Sequence, residues 1–220
     1  MATKDEEIFQ IYSALEKICV EINDLFSAID ESMDKNNFEP FSSNRLRWDA
    51  VETLGSPSFW LPFFSQRIYQ KREKDSNYML GLNLMMNDVY GLCKNIIPFF
   101  TCGLIKYSGT MKQTSNLLYN AGWYDKDEYK LVQLQNSLFS ISTSKSENVE
   151  ILSYFIRLTA VDTIPNAEKL IVDPLNKIYN SLPGDWENTN ELAKVLEPIA
   201  GKIKNDMLSL AQIRGNEPLK

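Results

Sequence analysis

No histidine occurs among the 220 residues. Its absence removes Ser-His-Asp and Cys-His nucleophile systems, histidine-ligated zinc and imidazole acid–base catalysis. The three cysteines, Cys19, Cys93 and Cys102, are odd in number and form no C-x-x-C pair, so neither a disulfide framework nor a zinc ribbon is indicated. They read as reduced, buried thiols. Glycine and proline, nine of each, are too sparse for a collagen-like or low-complexity chain. Positive charge is the minority sign: 23 Lys and Arg against 29 Asp and Glu leave a net charge of −6. A surface of that balance does not, as a whole, attract nucleic-acid phosphates or an anionic membrane. No phosphate-binding loop, dinucleotide fingerprint or nucleophile elbow is found. Long apolar runs are missing too. The most apolar region, Tyr78 to Ile105, is interrupted by Asn83, Asn87, Asp88, Lys94, Asn95 and Pro98. A membrane-spanning helix would bury these at high cost, so no span is expected.

What is present begins with a highly regular hydrophobic pattern over Thr3 to Met33. With Ile8 at the first position of a seven-residue repeat, Leu15, Ile22 and Ile29 share that position, and Ile11, Ile18 and Leu25 fall on the fourth. Thr3 followed by Glu6 fits a capping box, and Asp5, Glu6 and Glu7 complement the positive end of a helix dipole. Tyr12, Cys19, Phe26 and Met33 on the fifth position make the stripe broader than a two-stranded coiled-coil seam. That breadth favours a helix packed on its own domain over a dimerisation or partner helix. An acidic amphipathic start does not read as a secretory signal, which points to the cytoplasm.

Further along, residues 34–44 read as a loop with Phe38 and Phe41 as anchors, and Arg45 to Leu54 as a short helix. Alternation through 63–71 and again through Tyr78 to Met86, across the polar stretch 72–77, predicts a β-hairpin, with Gly81 marking a bulge or a close approach. Ile97 to Tyr107 reads as a buried strand. A second hairpin is expected from Leu131 to Ser142 and Val149 to Leu158, with a helix over Glu150 to Val161 as the competing reading. Pro165 suits the first turn of a helix through Tyr179 that Pro174 should kink, and a last helix, containing Pro198, runs from Thr189 or Asn190 to Ile213. Residues 1–220 are therefore expected to form a single α+β domain. Its mainly antiparallel sheet has about five strands, two hairpins plus one strand, covered by the long N-terminal helix and two C-terminal helices.

Three groups of residues carry candidate chemistry. Arg67, Tyr69, Lys71, Arg72 and Lys74 gather cations and an aromatic ring on the first hairpin, a combination that can hold phosphates and stack on bases. The plainer reading is a polar hairpin whose edge charges block aggregation. Asp88, Asp125, Asp127 and Glu128 supply carboxylates for a divalent metal such as Mg or Mn. With Tyr129-Lys130 this set resembles, over a few residues, the acidic pattern of metal-dependent nucleases; a solvated loop is the simpler alternative. Phe59, Trp60, Phe63, Phe64, Phe99, Phe100, Trp123 and Tyr124 line either a pocket or a core. No catalytic residue is assigned. The leading expectation is a non-catalytic cytoplasmic protein-interaction or regulatory protein that binds a protein partner or forms a homo-oligomer. The competing class is a nucleotide- or nucleic-acid-binding protein using the basic hairpin, with a metal-dependent phosphodiesterase or nuclease as its catalytic form.

Overall fold

The computed structural model describes residues 3–41, 64–72, 77–86, 97–108, 129–135, 138–144, 148–181, 186 and 189–213. The helix expected at 45–54 lies outside them.

Helix α1 spans Lys4–Lys35. Its start is the capping box read from the sequence: the Glu6 amide donates to Thr3 Oγ1 at 3.3 Å, and the Thr3 amide donates to Glu6 Oε2 at 2.6 Å. No glycine or proline interrupts its 32 residues, so it extends about 48 Å. It ends at Asn36, after which Asn37 takes φ 65°, a left-handed conformation that asparagine tolerates. Ile22, Phe26, Ile29 and Met33 are buried. Their spacing of four, three and four residues puts them on one face, with Phe26 edge-on to Phe100 at 6.1 Å between ring centroids.

The chain turns at Asn37 directly into the sheet. Among the described residues eight strands follow: β1 (Phe38–Pro40), β2 (Phe64–Lys71), β3 (Tyr78–Met85), β4 (Phe99–Tyr107), β5 (Tyr129–Leu134), β6 (Phe139–Ser144), β7 (Val149–Arg157) and β8 (Met207–Leu208). Their spatial order is β1-β2-β3-β4-β7-β6-β5, with β8 also on β7, and every pairing is antiparallel. The class is α+β as expected, but the strand count rises from about five to eight among the described residues. The first hairpin stands as read, and its pairing continues unbroken through Gly81, opposite Ile68 on one side and Gly103 on the other, so no bulge forms there.

Three extra strands account for the difference. Phe38 begins β1 rather than a loop, anchored as expected at 1% exposure and edge-on to Tyr179 at 5.0 Å. The run 131–142 divides into β5 and β6 around a turn in which Gln135 takes φ 50° and its carbonyl accepts from the Leu138 amide. The last helix stops at Ile203; Met207–Leu208 then pairs with Phe155 and Ile156 of β7 before a short helix, Leu210–Ile213. That short helix has its own reciprocal cap between Ser209 and Gln212, a Ser-x-x-Gln box. The helical alternative for 150–161 is replaced by β7 and a 3₁₀ turn at Leu158–Ala160.

Both faces of the central strands are buried. Leu80, Leu82, Leu84, Phe100, Leu104, Leu152 and Ile156 join α1 and the C-terminal helices in the main core, while Met79, Ile105, Val149 and Ile151 form a second cluster on the opposite parity. The helical segment after β7 runs as Ile164–Ala167, a π-helical stretch Glu168–Val172, and Asp173–Ser181. Pro174 therefore follows a widened turn. Having no N–H, it cannot serve the Leu170 carbonyl four residues earlier, and the buried Tyr154 hydroxyl donates to that carbonyl at 3.2 Å and to Ile171 O at 3.3 Å.

Replacing Tyr154 by Phe should cost about 0.5–1.5 kcal/mol by removing a buried hydroxyl-to-carbonyl hydrogen bond. Phe26→Ala should cost about 3–5 kcal/mol, whereas Ile18→Ala, on the same helix but 48% exposed, should change stability by no more than about 0.5 kcal/mol. Urea denaturation measures all three, and equal costs for Phe26 and Ile18 would contradict the packing described.

Candidate interaction surface

The basic hairpin residues are brought together, and what they gather around is α1. Arg67 is 7% exposed, with Nε 3.5 Å from Asp30 Oδ2 and its guanidinium 5.2 Å above the Phe26 ring. Tyr69 is fully buried and donates to Asp30 Oδ1 at 2.6 Å. Burial first, then the Asp30 carboxylate, pushes the Tyr69 phenol well above its ordinary value, with Arg67 opposing. Lys71 Nζ donates to Asn36 O at 2.7 Å and lies 4.4 Å from the Phe38 ring centroid, a cation set at the negative end of the helix dipole. Arg72 bonds Asp34 and stands 3.7 Å from Glu39. Four of the five residues are thus engaged with the last turns of α1 and with β1. The fifth, Lys74, lies outside the described residues.

Asp88, Asp125, Asp127 and Glu128 also lie outside them, so the carboxylate set is not located. Among the described residues no three His, Cys, Asp or Glu side chains stand together as metal ligands would. Of the aromatic set, Phe99 and Phe100 are core residues at 3% and 0% exposure. Cys102 is buried; burial pushes its thiol far above the ordinary range, with the Tyr154 hydroxyl opposing, so it stays an inert thiol. Among the described residues no helix is long and apolar enough to cross a membrane.

The remaining feature is the first half of α1. Ile8, Tyr12, Leu15 and Cys19 continue, at the same helical spacing, the stripe that Ile22, Phe26, Ile29 and Met33 bury. Yet Ile8 is 53% exposed, Phe9 72%, Ile11 67%, Tyr12 68%, Ile18 48% and Val20 54%. The two sequence readings of this helix divide along its length: from Ile22 onward it is a core helix, and before Ile22 its apolar face is exposed at Ile8, Ile11, Tyr12 and Ile18 and half-buried at Leu15 and Cys19. Fully burying one such side chain is worth about 1.5–3 kcal/mol, and contiguous apolar surface of this kind marks interaction sites, unlike apolar residues scattered singly. Its polar margin is acidic, with Glu7 and Glu21 on one side of the stripe and Asp5 and Glu16 on the other.

No protein-family model matches the chain, and neither a curated protein nor a solved structure matches it.

Asp30→Ala leaves the Arg67 guanidinium buried without a counter-charge and should cost about 2–4 kcal/mol, more than Arg67→Met, which removes the charge itself. The reverse order in urea unfolding would show that Asp30 is not the anchor. Alkali offers a second check. Tyr69, Tyr154 and Cys102 have raised values in the folded chain, against ordinary values of 10.0 for the tyrosines and 9.0 for the cysteine. Above those ordinary values the unfolded chain releases protons that the folded chain retains. Their stabilising contribution is therefore complete below about pH 9 and is lost as pH rises towards the folded values. The urea midpoint should fall between about pH 9 and pH 11, with absorbance at 295 nm showing two tyrosines that ionise only on unfolding.

Proposed function

We propose that this is a non-catalytic cytoplasmic protein-interaction protein, in which the sheet holds α1 by its last turns and presents the first half to a protein partner. The observation that carries the reading is the continuation of one apolar stripe from the core into solvent across Ile8, Ile11, Tyr12 and Ile18. A surface of that kind is recognised in the helix-in-groove mode, where apolar anchors at spacings of three and four residues enter a partner. The absence of histidine and of phosphate-binding motifs agrees with a role that requires no chemistry on a substrate. The competing nucleotide- or nucleic-acid reading draws on the first hairpin, where Arg67, Lys71 and Arg72 would have to leave Asp30, Asn36 and Asp34 to reach phosphates.

The test is native mass spectrometry on protein taken gently from its own host, comparing wild type with the double variant Ile11→Glu, Ile18→Glu. A stoichiometric protein partner on wild type, absent from a variant whose melting temperature is unchanged, is the expected result. A partner-free chain carrying a nucleotide or metal mass would overturn the proposal, as would a partner retained by the variant.

A further inference from the structure

We infer that the exposed face of α1 receives a basic amphipathic helix of a partner protein, one whose apolar stripe is flanked by lysine or arginine. The inference rests on the interaction reading above and adds to it the chemistry of the occupant.

The charge distribution along the helix selects that occupant. Between Lys4 and Asp24 two lysines stand against six carboxylates, a net of −4 within a chain whose total is −6. Their positions matter more than their number. At 100° per residue, Ile8, Ile11, Tyr12, Leu15, Ile18 and Cys19 span a face about 120° wide. Glu7 and Glu21 border it on one side, and Asp5 and Glu16 on the other. Of the two lysines, Lys4 falls within that arc at the start of the helix, and Lys17 lies on the opposite side, with its Nζ 3.8 Å from Glu21. Both margins are therefore negative, and marginal charges set partner choice when helices pair. Phe9 and Val20 stand just beyond Asp5 and Glu16, so that margin has apolar surface on both sides.

Self-association does not satisfy these margins. An antiparallel second copy would set Glu7 near the second copy's Glu21, like against like. A parallel copy would set Glu7 beside the second copy's apolar Tyr12, with no cation of that copy opposite it. A lipid surface is disfavoured for the same reason, since interfacial helices carry Lys and Arg on the polar face. A helix with basic margins pairs with all four acids while its apolar stripe covers Ile8, Ile11, Tyr12 and Ile18. The apolar contact consists of Tyr12, Ile8, Ile11 and Ile18, each about half exposed or more, while Phe9 and Val20 lie outside it, across the acidic margin.

The test titrates the full chain with two labelled 18-residue helical peptides that share one leucine stripe, flanked by lysine in the first and by glutamate in the second. Fluorescence anisotropy at low salt should show the lysine peptide binding about tenfold tighter, with the difference shrinking in 0.3 M salt. Glu7→Lys, Glu16→Lys, Glu21→Lys in one variant should reverse the preference, and Ile11→Ser, Ile18→Ser should abolish binding of both, each variant melting as wild type does. Equal affinity of wild type for the two peptides, or a lysine preference that survives the charge reversal, overturns the inference. Sedimentation separates the two levels: a wild-type dimer dispersed by Ile11→Ser, Ile18→Ser would make a second copy the occupant, overturning the basic partner while leaving this face an interaction site. Binding of neither peptide, with no dimer and with a host partner that Ile11→Glu, Ile18→Glu leaves in place, would remove the site altogether.

Discussion

Asp30 determines how α1 meets the sheet. Its carboxylate accepts from the Tyr69 hydroxyl and faces the Arg67 guanidinium, two groups that β2 carries into the interior. A guanidinium buried to that degree without a counter-charge is destabilising by several kcal/mol, so the helix is held at the rotation that brings Asp30 to it. With Asp30 in place, Phe26 lies against Phe100 and under Arg67, and Ser32 donates to Glu168 at 2.6 Å at the start of the π-helical stretch. That rotation also sets the direction in which the first half of the helix faces, because nothing in its sequence lets it turn independently.

How legible this was in the residues depended on whether a feature is local. The capping box at Thr3, the first hairpin, Phe38 as an anchor and Pro165 in a first turn all follow from neighbours within a few positions. The division of 131–142 into two strands depended on a left-handed Gln135, which that residue type does not advertise. The strand at Met207–Leu208 hid inside an apolar run that also fits a helix, although the Ser209–Gln212 capping pair marks where a new helix begins. Apolar periodicity reports which residues share a face and nothing about coverage, so the buried and exposed halves of α1 look identical until packing is known. The basic hairpin carried the same limit: its charges were visible, but their partners Asp30, Asp34 and Asn36 lie more than thirty positions earlier, and only the fold joins them.

Pro174 shows how a local rule is absorbed by tertiary structure. The residue removes a donor as expected, and the helical segment continues past it after a π-helical stretch, where a tyrosine from β7 donates to the Leu170 carbonyl. Strand and helix are locked at that point by backbone chemistry as well as by packing, which explains a hydroxyl placed deep among apolar side chains.

The unbroken course of α1 has a mechanical consequence. A helix without glycine or proline, clamped at one end and free at the other, is a cantilever. A tilt of about 5° would move its tip by roughly 2 Å over the exposed turns. Load applied at the tip arrives at the clamp, and immediately beyond the clamp the chain becomes β1, a strand of three residues at the sheet's edge. Whatever grips the free end therefore also strains that edge, and the shortest strand of the main sheet path is the element best placed to give way.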